Sequence, residues 1–402
     1  MLVHNTVLGS GTFFRAHGLA RGLTRRGHQV TLVGASRQAG LATKTTVLNG
    51  VEIVEPACLL PHRLRHAGLC PLDLLTRIRL VGSQDYDLVH GFEHRPTVLI
   101  PALLTANRQR TPYIHDWADL WGWQGIAGQR GLLSRFTLGA LDAALEPKVP
   151  WMADGVTVVN SYLAERLLQA GIPAERLRII PPGSSPEPEP PIPVSEARQV
   201  WGLPLGAPIV AYVGISTYDD DLVVEVWRLL KPAVPGLVLL LGGQVAGRTW
   251  RRLALDIQAG SIRLLGMLPP DQIHGALSAA DVLLLPFTGR GINLGRFPNR
   301  IGEYLAANRP IVTNATGDLG KLVTAHSLGA AVADDPLLFA EAVAELFASP
   351  QAARECGLRA RQLAEGTMNW DHHAQAVESL YLEVIGAKGG SADTAAPATP
   401  PA

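Results

Sequence analysis

One stretch of the sequence gathers the residue types that grip a charged leaving group. GRGINLGRFPNRIGEYLAANRPIV, residues 289–312, sets Gly289, Gly291 and Gly295 among Arg290, Arg296 and Arg300, ahead of a helix-like run that carries Glu303. Glycines let backbone amides approach a phosphate closely, and a helix start adds unpaired N–H groups. Arginines offer forked donors to phosphate oxygens. A carboxylate one turn inside the helix accepts hydrogen bonds from vicinal hydroxyls such as those of a ribose. Together they suit a nucleoside diphosphate. The plainer reading, a solvated loop with its arginines in water, is disfavoured by the loop's length and its place after the strand-like DVLLLPF.

A second group lies in HDWADLWGWQG. His115 and Asp116 are the candidates for a base that takes a proton from an acceptor hydroxyl. His115 alone reads equally well as a hydrogen-bonded core histidine. Trp117, Trp121 and Trp123 could stack on a sugar or on an apolar acceptor portion. The four-residue spacing of Trp117 and Trp121 also fits one helical face, so core packing competes with acceptor contact.

These residues must be held by the elements around them. Short apolar, β-branched segments alternate with helical spacing from the first residues onward. Leu2 to Leu8 leads into GSGTFF and a helix with Ala16, Leu19, Ala20 and Leu23 on one face; QVTLVGA follows. Further strands are expected at VEIVEP, DLVHGF, TPYIHDW, GVTVVNS and LRIIPPG. SSPEPEPPIPV interrupts the rhythm with proline density that suits a stiff extended linker. The alternation then resumes at PIVAYVG, GLVLLLGG, IRLLGML, DVLLLPF and RPIVTNA. The fold class is therefore α/β, with two Rossmann-like domains. The expected boundaries are 1–184 for the first domain, 185–195 for the linker, 196–369 for the second domain and 387–402 for a disordered tail. Ligands settle outside the carboxyl ends of parallel strands. That rule directs the glycine turns after Leu8 and Val213, which hold Gly9, Gly11 and Gly214, into a cleft between facing sheets.

Bulk composition excludes several classes. The 402 residues exceed what one core usually serves, and 47% apolar against 17% charged residues supplies globular interiors. A formal net charge of zero argues against nucleic-acid binding, which calls for a basic excess. Three cysteines, far apart, make no disulfide or zinc framework and read as free thiols in a reducing cytosol. No apolar run is long enough to span a membrane and no secretory signal opens the chain, which places it in the cytoplasm. The short, polar first strand has no lead-in, so the native start is expected a few codons upstream of Met1. Asp219, Asp220 and Asp221 read as a helix start aligned with its dipole rather than a metal site. Leu60 to Val81 carries Arg63, Arg65, Arg77 and Arg79 among leucines. An ordinary amphipathic helix is favoured there, with peripheral contact at the inner membrane face as the alternative.

PNRIGEYLAANRPIVTN resembles the donor-site helix of GT-B glycosyltransferases, particularly the large family 4 type. GTFFRAHGLARGLTRRGHQVTLV resembles that family's opening glycine loop, helix and second strand. ADGVTVVNSYLAERLLQAGIPAERLRIIPPGS and IRLLGMLPPDQIHGALSAADVLLLPF resemble later segments in the same order, and NWDHHAQAVESLYLEVI resembles the final Trp-led helix. The resemblance implies metal-independent and cofactor-free transfer of a sugar, a UDP-sugar being the favoured donor, to a sugar or lipid-linked acceptor with retention. It implies that Glu303 holds the ribose, that His115 lies near the donor hexose, that Gly9 and Gly11 border the diphosphate, and that residues 370–386 cross back to the first domain. The sequence departs from the pattern twice. Gly295 stands where the family carries an acid, and AYVGISTYDDDL lacks the usual basic residues, so Arg290, Arg296 and Arg300 are expected to replace them. Three other classes compete: a dinucleotide-dependent oxidoreductase, weakened by Phe14 at its third glycine position, a sugar-nucleotide epimerase, and a non-catalytic nucleotide-sugar binder.

Overall fold

Strands form where β-branched and leucine-rich runs can be buried on both faces, and helices cover those faces. The computed structural model describes residues 1–8, 11–185, 192–215 and 218–393. They separate into two compact units. One comprises Met1–Pro181, Gly295–Phe297 and Trp370–Ala402; the other comprises Pro182–Leu294 and Pro298–Asn369.

The first unit holds β1 (Leu2–Thr6), β2 (Thr31–Ala35), β3 (Lys44–Leu48), β4 (Val51–Glu55), β5 (Val89–Phe92), β6 (Tyr113–Trp117), β7 (Gly155–Val158) and β8 (Leu177–Ile179). They run in the order β3-β4-β2-β1-β5-β6-β7-β8. All pair in parallel except β3, which lies antiparallel on β4 at the edge. Phe13, Leu19, Ile53, Phe92 and Val377 are packed in its core. The helix Gly11–Arg25 packs on the helix Trp370–Asp393 with almost no gap. A Cβ at Gly18 would fall on the Trp370 indole, and one at Gly22 on Ala374. The Trp370 helix thus completes the first unit.

That helix runs on to Asp393, through the residues from 387 onward expected as a tail. Lys388 anchors it, donating to Asp154 Oδ2 at 2.8 Å and to the Thr111 carbonyl at 3.2 Å. The remainder of the expected tail and most of the proline linker lie outside the described residues. Pro182 to Ser184 already belong to the second unit, ahead of the expected boundary. There Ser184 is buried and its hydroxyl lies 2.6 Å from the Ala364 carbonyl.

The second unit is a wholly parallel sheet of β9 (Ile209–Val213), β10 (Val238–Gly242), β11 (Ile262–Gly266), β12 (Val282–Leu285), β13 (Ile311–Asn314) and β14 (Gly329–Val332), ordered β11-β10-β9-β12-β13-β14. Trp227, Leu239, Leu284 and Phe339 lie in its core.

Two expectations from the sequence fail. Cys58 and Cys70 form a disulfide, with Cα atoms 6.2 Å apart, and only Cys356 is free. The cysteine argument for a reducing compartment is therefore withdrawn. Residues 60–81 form two short helices whose basic residues do not all face out. Arg77 is fully buried, 2.5 Å from Asp73 Oδ1 and 2.7 Å from the Val3 carbonyl. Arg65 is buried too and donates to the carbonyls of Ser36, Leu60 and Arg37. No helix among the described residues is long and apolar enough to cross a membrane.

Candidate functional site

In the second unit, β9 and β12 are neighbours at the centre of the sheet, where the strand order reverses. That is the position at which open α/β sheets bind ligands. β9 is followed by Gly214, whose φ of +77° only glycine adopts without strain. The Arg300 side chain lies over this turn. Its Cδ and Nε come within 3.5 Å of where a Gly214 Cβ would be, and its guanidinium sits 5.6 Å from the Tyr212 ring centroid. Arg300 Nη1 is buried without a hydrogen-bond partner among the described residues. A buried, unsatisfied guanidinium N–H is costly unless an acceptor arrives.

Glu303 stands in the first turn of the helix Ile301–Ala306. Its side chain reaches solvent, yet enough protein surrounds it that desolvation raises its pKa; its own backbone amide and Arg300 act in the opposite direction. The adjacent Tyr304 fixes this position. Its buried hydroxyl accepts from the Val213 amide at 3.0 Å and lies 3.2 and 3.0 Å from the carbonyls of Val213 and Leu284. One phenol thus links the ends of β9 and β12 to the helix bearing Glu303. That helix is six residues long, so its dipole is a minor contributor and Arg300 becomes the main candidate for phosphate.

The other donor-site candidates are divided between the two units. Arg290 and Gly291 are exposed at the loop tip. Gly295 and Arg296 belong to the first unit, where Leu120 fills the space a Gly295 side chain would need and Asn160 Nδ2 donates to the Arg296 carbonyl at 3.1 Å. Gly9 lies outside the described residues, and Gly11 opens the helix Gly11–Arg25.

The loop after β12 has a support that the sequence did not reveal. Asp219 is buried and does not cap its helix. Its Oδ1 instead accepts from the Thr288 amide at 3.2 Å, the Thr288 hydroxyl at 2.7 Å and Asn293 Nδ2 at 3.0 Å. Asp334 Oδ2 accepts from the Gly289 amide at 2.6 Å. Asp220 and Asp221 pair with Arg248 and Arg252.

In the first unit, alternation along β6 sends His115 and Asp116 to opposite faces, and both faces are covered. Asp116 is fully buried. Arg15 Nη2 donates to it at 2.7 Å, Arg15 Nε at 3.0 Å, and the Thr157 hydroxyl at 2.6 Å. Burial pushes its pKa up, but the Arg15 charge and hydrogen bonds outweigh that and hold it below the usual value. A carboxylate so engaged does not act as a base, so that expectation is corrected. His115 is 1% exposed, lies 3.3 Å from the Tyr113 hydroxyl and is held neutral, its pKa lowered to about 3 by burial. It has no open face toward an acceptor.

Trp117 and Trp121 share no helix. Trp117 ends β6, Trp121 lies in the loop after it, and both are buried. Two carboxylates hold this loop. Glu93 accepts from the Ala118 amide at 3.0 Å and from the Trp121 indole. Glu146 accepts from the Trp121 amide at 2.5 Å, the Gly122 amide at 2.8 Å and the Trp117 indole at 3.2 Å. Glu93 itself has φ of +69°, a conformation that non-glycine residues adopt rarely. Burial raises the pKa values of Glu93, Asp119 and Glu146, that of Asp119 to about 6. Nearby, Asp142 accepts from Arg95 at 2.7 Å and Arg130 at 2.6 Å, and Arg95 stacks 4.1 Å over Trp121. The indoles are thus structural pins. Trp123, 44% exposed, is the tryptophan of the three that faces solvent.

Residues 10–183 match the family described as Glycosyl transferase 4-like domain, and residues 207–349 match Glycosyl transferases group 1. The chain belongs to the family 4-like GT-B glycosyltransferases. It is 26% identical over 322 residues to D-inositol 3-phosphate glycosyltransferase of Nocardia farcinica, covering 76% of this chain and 69% of that one. It is 26% identical over 304 residues to the GDP-mannose-dependent alpha-(1-6)-phosphatidylinositol monomannoside mannosyltransferase of Mycobacterium tuberculosis, covering 73% and 75%. Sucrose-phosphate synthase from Thermosynechococcus elongatus shares the fold at a TM-score of 0.74 and 19% identity, over 96% of this chain and 98% of that one. The GT-B glycosyltransferase is thus an enzyme built from two parallel-sheet α/β domains.

Proposed function

We propose that this glycosyltransferase takes a hexose from a nucleoside-diphosphate sugar, a UDP-sugar first among them, and passes it with retention to the hydroxyl of a sugar or lipid-linked acceptor. The observation that carries the reading is the half-buried Arg300 side chain over the Gly214 turn, with a buried Nη1 lacking a partner among the described residues and Glu303 one turn further on. In this reading Arg300 neutralises the diphosphate as it departs, the largest charge that develops in the reaction. Glu303 accepts from the ribose hydroxyls, and Tyr304 keeps both in register with the strand ends. With Asp116 paired and His115 enclosed, the departing phosphate takes the acceptor proton. That route accords with retention.

The test is donor kinetics against UDP-, GDP- and ADP-sugars, with melting shifts for the free nucleotides and 2′-deoxy-UDP. A charge-assisted hydrogen bond of about 1.5–3 kcal/mol makes the expected rise in donor KM for Arg300→Ala about tenfold to a hundredfold. Glu303→Gln is expected to lose the preference for ribose over deoxyribose. Proton NMR of the product reads the anomeric configuration. Donor KM values unchanged in both variants would remove this site, and an inverted product would remove the phosphate-as-base route.

A further inference from the structure

Between β6 and β7 the chain makes a long helical excursion: Ile126–Gln129, Leu132–Ser134, a π-turn at Arg135–Gly139, and Ala140–Leu145. Its outer side is strongly apolar. Leu132 is 74% exposed, Phe136 69% and Leu141 46%. They recur at four- and five-residue spacing, which keeps one face through a turn that widens from α to π. Ala144 and Lys148, both exposed, extend the line at helical spacing.

The charge on this excursion is one-sided. From residue 120 to residue 153 the sequence holds two acids, Asp142 and Glu146, and both are buried. Asp142 is occupied by Arg95 and Arg130, and Glu146 by the backbone of Trp121 and Gly122. The charged side chains that reach solvent there are therefore the exposed Lys148 and the half-buried Arg130 and Arg135, with no exposed acid, and Gln124, Gln129 and Thr137 are the exposed neutral polar residues. The π-turn supports this side. Arg135 lies 5.6 Å from the Trp123 ring, and Gly139 is buried close to Trp123 and Ala127. An apolar face with a basic border and no acids complements a surface that is greasy within and negative at its rim.

We infer that the Leu132–Phe136–Leu141 face docks this glycosyltransferase onto an anionic phospholipid bilayer. Leu132 and Phe136 enter the headgroup boundary while Lys148 meets the lipid phosphates. The inference is independent of which donor or acceptor the enzyme uses. It also differs from the sequence-based alternative at residues 60–81, where Arg65 and Arg77 are turned inward.

The experiment is flotation of the full chain with vesicles of phosphatidylcholine alone and of phosphatidylcholine with phosphatidylglycerol. The wild type is expected to float with the anionic vesicles only. Leu132→Ser with Phe136→Ser is expected to weaken binding about a hundredfold, from about tenfold for each large apolar side chain returned to water. Lys148→Glu is expected to weaken it less. Melting temperature and turnover of a soluble acceptor are expected to stay at wild-type values in both. No flotation of the wild type overturns the inference. So does flotation that survives the Leu132 and Phe136 changes but is lost in Leu72→Ser with Leu75→Ser. Sedimentation that shows a dimer dissolved by the Leu132 and Phe136 changes assigns the face to a second copy and also overturns it.

Discussion

Replacing Asp116 by alanine separates a structural from a catalytic carboxylate. Arg15 and Asp116 are both fully buried, and three of the contacts between them are 2.7, 3.0 and 3.1 Å long. Asp116→Ala leaves the guanidinium with the Ile180 carbonyl, 2.6 Å from Nη1, as its remaining strong acceptor. Removing one partner of a buried pair costs about 3–5 kcal/mol, at least about a fifth of the roughly 5–15 kcal/mol that holds a domain folded. Asp116→Asn keeps an oxygen for Arg15 and is expected to cost less. The double change Arg15→Met with Asp116→Leu removes both charges and is expected to regain most of the loss. Urea unfolding followed by tryptophan fluorescence measures each variant, and sugar transfer is assayed at a temperature where all remain folded. The pH dependence has a definite sign. Asp116 has a lowered pKa in the fold, so its contribution is complete above the unfolded value of 3.8 and is lost only as pH falls below it. An Asp116→Ala protein as stable as wild type would refute this account. So would a stable double variant without activity, because that carboxylate would then be doing chemistry.

Two further outcomes follow from neighbouring carboxylates. Asp219→Ala removes the acceptor of three hydrogen bonds to Thr288 and Asn293, so donor KM is expected to rise about tenfold with kcat changed far less; steady-state kinetics in which kcat falls and KM stays constant would contradict a positioning role. Asp119 has its pKa raised from 3.8 to about 6 by burial, against the opposing charge of Arg296, and Glu93 shifts the same way. Their contribution is therefore greatest below pH 4 and declines as pH rises through 6, so urea midpoints measured from pH 4 to 8 are expected to fall across that window; midpoints that climb there would reverse the sign.

Much of the architecture was legible because parallel strands buried on both faces need apolar, β-branched runs, and these stand out between helical stretches. The two strands that escaped notice lack that signal. GAAV, β14, has a single β-branched residue, and KTTVL, β3, is an almost wholly exposed edge strand. In the candidate site, loop composition and order along the chain single out Gly214, Arg300 and Glu303. Asp219 could not. Its partners lie 69 and 74 residues away, and an acid ahead of a helix reads locally as a dipole partner. The same limit hid the Arg15 partner of Asp116, 101 residues distant. Trp117 and Trp121 misled through spacing, since a strand end followed by a turn can reproduce a four-residue interval without any helix. The disulfide was hidden for a related reason: Cys58 follows β4 and Cys70 precedes a helix, and only their folding together brings them within reach.

The seating of the Trp370 indole and Ala374 against Gly18 and Gly22 has a consequence for how this polypeptide comes into being. A ribosome that has released the first 181 residues has produced a sheet whose opening helix still presents a bare apolar flank. Its cover is translated only after the whole second unit, so the earlier half waits, half-dressed, while that unit is made. Expressed alone, the leading portion would retain that naked flank and tend to clump. Supplying the Trp370–Asp393 peptide in trans is the natural way to rescue it.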